Sequence, residues 1–105
     1  MPAYDEELFG PVFSILRFKD LEEAIFLAND IKYGLSANVF TKDIAKAKML
    51  VGELEVGNVF INEVAGSSPG IPTGGVKDSG YGRECYKDGL YETTNRKGVV
   101  IGKIY

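Results

Sequence analysis

Cys85 is the only cysteine in the chain, and its thiol is the side chain best suited to nucleophilic attack. The sequence contains no histidine, so neither a Cys–His nor a Ser–His pair can form. Activation of Cys85 would have to come from Lys77, Arg83 or the N-terminus of a helix. The sequence favours a structural role for Cys85 as a small buried apolar residue. A single cysteine without histidine also excludes an intrachain disulfide and a Cys/His zinc site, so we expect no metal.

The glycines between positions 74 and 82 have spacings that also occur in phosphate-binding loops. Gly80-Tyr81-Gly82 begins like a dinucleotide fingerprint, but Cys85 stands where the third glycine belongs and no strand leads directly into it. Gly75 and Gly80 have the spacing of a phosphate loop, but the Lys-Ser/Thr pair that should follow is replaced by Tyr-Gly. Both patterns therefore indicate turns.

Composition indicates one globular domain. The 105 residues are 45% hydrophobic and 26% charged, and the net charge of −3 comes from scattered rather than clustered charges. No basic patch suggests nucleic acid or an anionic membrane as a partner. No apolar run approaches the roughly 20 residues of a membrane span, and the acidic N-terminus is unlike a signal peptide. We therefore expect a cytoplasmic protein.

Two helices are predicted from caps and periodicity. Asp20 and Glu23 form a capping box before a helical spacing of apolar residues, and Gly34 is the predicted stop. Asp43 is the predicted cap of a second helix, which Gly57 ends. Each helix lies between two apolar or β-branched runs.

Three strands are predicted around these helices, at residues 12–18, 36–41 and 58–62. Strand, helix, strand, helix, strand is the pattern of parallel α/β units with right-handed crossovers. The predicted fold class is therefore α/β, with a βαβαβ parallel sheet.

The remainder of the chain is less regular. Residues 63–82 are rich in glycine and proline, so they form a long loop that is either functional or a flexible surface excursion. A short helix is predicted near residues 83–90. Residues 93–105 are predicted as a terminal strand, whose edge stays exposed unless another strand pairs with it.

Four segments match motifs of one enzyme family, in the family's order. Residues 6–12 (EELFGPV) resemble its EExFGPV segment, and residues 29–41 resemble its N-x-x-x-YGL-x-A-x-VFT stretch. Residues 57–62 (GNVFIN) match its G-x-VFIN strand, and residues 74–84 (GGVKDSGYGRE) match its GGxKxSGxGRE loop. The chain thus resembles the NAD(P)-dependent aldehyde dehydrogenases, and it is similar to the succinate-semialdehyde dehydrogenase branch of that family.

The resemblance implies the C-terminal part of such an enzyme, with residues 1–92 in the catalytic domain and 93–105 as an oligomerisation strand. In this family a cysteine thiolate attacks the aldehyde, hydride passes to the nicotinamide, and glutamate-activated water releases the acid. The family's nucleophile, general base, oxyanion-binding asparagine and coenzyme domain all precede the EExFGPV segment. We therefore expect no catalytic residue here, and Cys85 does not occupy the nucleophile's position.

The resemblance also implies binding residues. Glu7 corresponds to the glutamate that holds the nicotinamide ribose of NAD or NADP, and Phe9 to the aromatic residue beside the nicotinamide. Such a carboxylate orients the ring without reacting. Neither coenzyme is expected to bind this chain tightly, because most of the family's coenzyme contacts lie outside the matching region.

The resemblance places the loop after the third predicted strand in the substrate funnel. The funnel residues are expected to be Asn62, Ser67, Ser68 and Thr73. Many relatives have an aromatic residue in place of Thr73, so the funnel wall is smaller and more polar here. Such a wall suits a polar or carboxylated aldehyde.

Two functions follow from these expectations. In one, the chain is part of an oxidoreductase that converts an aldehyde, such as succinate semialdehyde, to its acid, and it is inactive alone. In the other, it is an independent non-catalytic assembly module. The expected partner is a second copy or a full-length aldehyde dehydrogenase subunit, which residues 93–105 contact.

Overall fold

The computed structural model describes residues 2–104 and contains four helices and four short strands. The helices are α1 (Pro2–Asp5), α2 (Leu21–Asn29), α3 (Ile44–Glu53) and α4 (Tyr86–Glu92). The strands are β1 (Tyr33–Gly34), β2 (Ser36–Val39), β3 (Asn58–Ile61) and β4 (Val76–Lys77). Within the described range, no helix is both long enough and apolar enough to cross a membrane.

The predicted starts of α2 and α3 are confirmed. The Asp20 carboxylate accepts the Glu23 N–H at 2.9 Å, and the Glu23 carboxylate accepts the Lys19 N–H at 2.8 Å. This reciprocal arrangement satisfies one amide in the first turn of α2 and one amide just before its N-cap. At α3, the Asp43 carboxylate accepts the Lys46 N–H at 3.0 Å. Both helices therefore begin at a capped residue.

The predicted helix ends are wrong, because α2 ends at Asn29 and α3 ends at Glu53. The two glycines that were predicted as stops, Gly34 and Gly57, lie instead where two backbones approach closely. A Cβ at Gly34 would lie 2.5 Å from the Glu55 carbonyl oxygen, and one at Gly57 would overlap a neighbouring carbonyl. These glycines allow close packing rather than helix termination.

The predicted βαβαβ parallel sheet is wrong, and the structure has two separate two-stranded sheets. Strands β2 and β3 pair in parallel from Ser36↔Asn58 to Val39↔Ile61, with α3 as the crossover. Strands β1 and β4 pair antiparallel. Residues 12–18, predicted as the first strand, are exposed and not assigned to a strand. A strand needs a hydrogen-bonded neighbour, and no part of the described chain supplies one to this segment.

The chain exposes much more surface than a compact domain of its mass. Its accessible surface is 8741 Å², against about 5,800 Å² for a compact monomer of this size. Its radius of gyration is 18.8 Å, against about 13 Å for a compact domain of similar length. Among residues 2–104 only Ala47 and Leu50 are buried apolar residues. The α3 crossover therefore contains the whole buried core of the described chain.

The C-terminal segment also differs from the prediction. Helix α4 spans Tyr86–Glu92 rather than residues 83–90. Residues 95–104, most of the predicted terminal strand, have no regular secondary structure, and residue 105 lies outside the described range. The β-branched side chains here remain exposed, including Val100 at 96% and Ile104 at 93%. As with residues 12–18, no strand between residues 2 and 104 lies beside these residues to complete a ladder.

Candidate functional site

Glu7 and Phe9 lie in the segment that follows α1, on the protein surface. Both side chains are exposed, Phe9 at 93%, and Phe9 has a positive φ of 40°. Together with the backbone around Gly10 they line a shallow groove of about 290 Å³. Glu7 also lines a neighbouring groove that includes Tyr33 and Ser79. The carboxylate thus lies where two grooves meet.

Two hydrogen bonds hold α1 and the segment after it in place. The Tyr4 hydroxyl donates to the Asp30 carboxylate at 2.6 Å, just beyond the end of α2. The Ser14 hydroxyl donates to the Ala3 carbonyl oxygen at 2.7 Å. The bond to Asp30 raises the pKa of the Tyr4 phenol above its ordinary value, because it favours the protonated hydroxyl. Glu7 and Phe9 follow this anchored helix.

The exposed pair has the right chemistry for a nucleoside. A carboxylate that faces solvent accepts two hydroxyl donors, as the vicinal hydroxyls of a ribose require. The exposed Phe9 ring offers an apolar face to a flat heterocycle. The residues therefore fit the ribose and the attached ring of a nicotinamide coenzyme, and the fit rests on side-chain type and exposure.

Asn62 has a structural role that the sequence did not indicate. Its side-chain amide donates to the Thr41 carbonyl oxygen at 2.9 Å and accepts the Thr41 N–H at 2.8 Å. Its own N–H donates to the Val39 carbonyl oxygen at 2.8 Å, and its φ is 54°. The side chain thus extends the parallel ladder one step beyond β2 and β3. These bonds use one of the two N–H donors and one acceptor site of the side-chain amide, so they fix the orientation of the Asn62 side chain.

The other predicted funnel residues lie along the loop from residue 63 to residue 75. Ser67 is exposed, while Ser68 and Thr73 are half-buried. The Thr73 N–H and carbonyl oxygen pair with Glu84 at 2.9 and 2.7 Å, which fixes the end of the loop against the start of α4. The two grooves that contain Glu7 include none of the four funnel residues. The described chain therefore does not bring the two predicted groups into one cavity.

Residues 74–84 form the GGxKxSGxGRE loop, and side chains of this loop bind it to the rest of the chain. The Lys77 ammonium donates to the carbonyl oxygens of Asn29 and Ile31 at 2.7 and 3.1 Å and pairs with the Glu55 carboxylate at 2.7 Å. The Ser79 hydroxyl accepts the Gly34 N–H at 2.9 Å. These contacts tie the loop to the end of α2 and to β1.

Arg83 closes the same loop on itself. Its guanidinium donates to the carbonyl oxygens of Gly75 and Gly82 at 2.9 and 2.6 Å. Gly82 has a φ of 75°, which glycine adopts without the steric cost that a side chain would add. The glycines and cations of this motif therefore build a turn, in which Lys77 and Arg83 donate to backbone carbonyl oxygens.

Cys85 is half-buried and precedes the seven-residue helix α4. Its φ of 60° and ψ of 171° place it in a backbone region that glycine prefers. The chain has no histidine that could act as its base. No group of three His, Cys, Asp or Glu side chains between residues 2 and 104 could hold a metal ion.

Comparison with known proteins places these features in one family. The family model described as "Aldehyde dehydrogenase family" matches residues 1–99. The chain is 45% identical over 102 residues to succinate-semialdehyde dehydrogenase [NADP(+)] 1 of Mycobacterium ulcerans, which covers 97% of the chain and 22% of that protein. It is 48% identical over 99 residues to succinate semialdehyde dehydrogenase [NAD(P)+] Sad of Escherichia coli, and this match covers 94% of the chain and 21% of that protein. The chain thus spans about a fifth of the length of these relatives.

Two solved structures show the same backbone arrangement. Succinic semialdehyde dehydrogenase from Streptococcus pyogenes, in complex with NADP+, matches with a TM-score of 0.90 at 40% identity over 97% of this chain and 22% of that one. Mycobacterium tuberculosis aldehyde dehydrogenase, in complex with NAD+, matches with a TM-score of 0.93 at 39% identity over 100% of this chain and 22% of that one. Both are longer proteins that hold a nicotinamide coenzyme.

Proposed function

Because the chain belongs to the aldehyde dehydrogenase family, we propose that it supplies the C-terminal part of the catalytic domain of an NAD(P)-dependent aldehyde dehydrogenase. The observation that carries this proposal is the match of the family model to residues 1–99, nearly the whole chain. The reaction is the oxidation of an aldehyde to its carboxylic acid. The coenzyme, when bound, accepts the hydride.

The substrate class is a small aldehyde with a carboxylate, and succinate semialdehyde is the proposed example. Relatives at 45% and 48% identity carry that name. Thr73 supports the same choice, because many relatives have an aromatic residue at this position, and Thr73, with Ser67 and Ser68 nearby, makes the wall of the funnel smaller and more polar.

Glu7 and Phe9 hold the coenzyme in this proposal. The Glu7 carboxylate accepts the ribose hydroxyls, and the Phe9 ring packs beside the nicotinamide, so the two residues orient the ring without taking part in bond formation. Their exposure in the described chain supports this role, because neither is committed to an internal contact that would have to break. Most of the coenzyme surface remains to be covered by other parts of the enzyme.

The chain alone is therefore proposed to be inactive and to bind coenzyme too weakly to measure. In this proposal Cys85 does not act as the nucleophile, because the chain contains no histidine that could serve as its base. The test is to incubate the purified chain with succinate semialdehyde and either NAD+ or NADP+. Reproducible NADH or NADPH formation would overturn this part of the proposal.

A stand-alone assembly module is the second candidate, and the accessible surface of 8741 Å² favours it. In that case residues 93–105 pair with a second copy or with a full-length aldehyde dehydrogenase subunit. An antibody against this chain distinguishes the two candidates in the source cells. A native species several times heavier than 11.5 kDa supports the dehydrogenase, whereas a native species of that mass supports the module.

If the native species is heavier, its coenzyme site is tested by two matched substitutions. Glu7→Gln removes the charged acceptor, and the KM for coenzyme should rise while the KM for aldehyde stays the same. Glu22→Gln changes an exposed carboxylate of the same size on α2, outside the two grooves that Glu7 lines, and should leave both values unchanged. Equal effects of the two substitutions would contradict the assignment of Glu7.

A further inference from the structure

The predicted funnel loop is held more firmly at its end than at its start. Between residues 63 and 67 the described chain forms one hydrogen bond, from the Val64 N–H to the adjacent Glu63 carboxylate at 3.2 Å. Residues 68–74, in contrast, bond to two distant parts of the chain, the segment that leads into α4 and the start of β3. Thr73, one of the predicted wall residues, lies where these two sets of bonds meet.

Backbone bonds hold one side of this loop. The Thr73 N–H donates to the Glu84 carbonyl oxygen at 2.9 Å, and the Glu84 N–H donates to the Thr73 carbonyl oxygen at 2.7 Å. The Tyr86 N–H, at the start of α4, donates to the Pro69 carbonyl oxygen at 3.1 Å. Because these bonds join backbone groups, they do not depend on which side chains the loop carries.

One side chain, that of Asn58, holds the opposite side. Asn58 is the first residue of β3, and its side-chain N–H donates to the Pro72 carbonyl oxygen at 2.8 Å. Its side-chain oxygen accepts the Gly74 N–H at 3.2 Å, and both bonds are partly buried. Pro72 and Gly74 are the two neighbours of Thr73, so the Asn58 amide spans Thr73.

All four polar groups of the two peptide units that flank Thr73 are therefore paired. Glu84 bonds the N–H and the carbonyl oxygen of Thr73 itself, and Asn58 bonds the outward groups of its two neighbours. The Thr73 backbone cannot turn without breaking at least one of these bonds, which fixes the direction of its side chain. The Thr73 hydroxyl itself forms only a long bond, to the Ile71 carbonyl oxygen at 3.4 Å. It is thus a fixed donor that a stronger acceptor can take over.

We propose that Asn58 is a positioning residue for aldehyde specificity, which holds Thr73 so that its hydroxyl donates to the carboxylate of the aldehyde. This inference rests on the proposed function, because the funnel wall and the carboxylated substrate belong to it. Asn58 does not contact the substrate and acts only through Thr73. A donor that is already in place loses little conformational freedom when the substrate binds, so more of its bond energy contributes to discrimination.

The test uses the full-length dehydrogenase that contains this chain, because the chain alone is proposed to be inactive. Succinate semialdehyde is compared with butanal, an uncharged aldehyde with the same number of carbons, as a ratio of the two kcat/KM values. Asn58→Leu keeps the size of the side chain and removes its donor and its acceptor. The ratio should fall by about three- to tenfold through a higher KM for succinate semialdehyde. The KM for coenzyme should not change, because the grooves that contain Glu7 include no funnel residue.

Thr73→Val tests whether Asn58 acts through Thr73. Valine removes the hydroxyl and keeps the shape of the side chain, so the ratio should fall at least as far as it does for Asn58→Leu. When Thr73 is already valine, Asn58→Leu should cause no further fall, because the hydroxyl that it positions is absent. Two independent contributions would instead multiply.

Asn29→Leu is the matched control. The Asn29 amide donates to the Glu53 carbonyl oxygen at 2.7 Å and accepts the Glu55 N–H at 2.9 Å, so it spans Leu54 as Asn58 spans Thr73. Asn29→Leu should lower the midpoint of thermal unfolding and leave the ratio unchanged.

A second substitution at the same position covers the case in which Asn58→Leu does not fold. Asn58→Thr keeps a hydroxyl donor and acceptor on a side chain that suits a strand, but this side chain is too short to span Thr73. The ratio should therefore fall by a smaller factor than it does for Thr73→Val, again with no further fall when Thr73 is valine.

The possible failures are distinguishable. A fall in the ratio for Thr73→Val without one for the Asn58 variants would overturn the positioning role alone, as would multiplied effects in the double variant or an equal fall for Asn29→Leu. An unchanged ratio for Thr73→Val would overturn the proposed funnel wall. A native species of 11.5 kDa would overturn the proposed function, and either of these last two results removes this inference as well.

Discussion

Three asparagine side chains take the place of backbone groups at loop junctions. Each amide donates to one peptide carbonyl and accepts from one peptide N–H, so each loop is held in both directions. The pairs are Asn29 with Glu53 and Glu55, Asn58 with Pro72 and Gly74, and Asn62 with Thr41. Asparagine suits this role because its amide has the same donor and acceptor as a peptide unit.

Asn58→Asp is expected to destabilise the protein. The substitution turns the donor at 2.8 Å from the Pro72 carbonyl oxygen into a second acceptor, and the site is partly buried. The expected loss of unfolding free energy is about 1–3 kcal/mol, measured by urea unfolding. Asn62→Asp, at an exposed pair, should cost less. Asn38→Asp is the control, because Asn38 is exposed and its side chain forms no such pair. If Asn38→Asp lowered the free energy of unfolding as much as Asn58→Asp does, the role of the Asn58 amide would be contradicted.

Tyr4 gives a prediction about pH. Its hydroxyl donates to Asp30, and this bond raises the pKa of the phenol above 10.0 in the folded protein. A raised folded-state pKa means that the bond stabilises the fold below the unfolded pKa and that the stabilisation is lost as pH rises through the folded pKa. When tyrosinate formation is followed by ultraviolet absorbance, one tyrosine should ionise at a pH above the ordinary pKa of 10.0. Tyr4→Phe should remove this step, and Asp30→Asn should move its pKa back toward 10.0. A late step that survives Tyr4→Phe would contradict this assignment.

At the scale of secondary-structure elements, one lysine fixes the end of α2. The carbonyl groups at a helix C-terminus lack intrahelical partners and carry partial negative charge, which a cation stabilises. Lys77 supplies this cation from β4, far along the chain, and Glu55 holds the ammonium from the segment after α3. The cation therefore connects α2, β4 and the segment before β3.

Lys77→Met is expected to destabilise the protein more than Glu55→Gln does. The methionine leaves two carbonyl oxygens without their donor, whereas the glutamine removes only an ion pair. The Glu55 side chain is 59% exposed, so this ion pair is worth about 0–1 kcal/mol. The midpoint of thermal unfolding is compared between the two variants. A larger decrease for Glu55→Gln than for Lys77→Met would show that the ion pair contributes more stability than the hydrogen bonds to the carbonyl oxygens.

At the scale of the whole molecule, the exposed apolar surface should cause self-association. The accessible surface exceeds that of a compact monomer by about half, and the tail adds several exposed β-branched residues. The weight-average mass from light scattering should therefore rise with concentration. Ile101→Lys should reduce the rise, whereas Asn95→Lys adds the same charge outside the apolar run and should reduce it less. A monomer over a wide concentration range would be contrary to this expectation.

The sequence predicts local structure correctly where a short segment contains both partners of an interaction. Helices α2 and α3 begin after Asp20 and Asp43 because each of these carboxylates accepts an amide three residues further along the chain. Residues 36–41 and 58–62 contain β2 and β3, because α3 between them supplies the crossover that a parallel pair needs. The motifs also placed the chain in its family.

The signals that failed depend on distant partners. Residues 12–18 and 93–105 have the composition of strands, but a strand exists only beside another strand, and the described chain provides none for either segment. The role of Asn62 was likewise hidden, because Thr41 lies far from it in sequence. Gly34 and Gly57 were interpreted as helix stops, although long-range backbone contacts explain them.

The sequence by itself therefore determined the helix caps, the parallel pair and the family, because these depend on local hydrogen bonds and on motif order. Only the tertiary structure decided that Asn58, Asn62 and Lys77 hold loops. The physical reason is that hydrogen-bond satisfaction is a property of the assembled chain: whether a polar group is paired depends on which distant backbone reaches it.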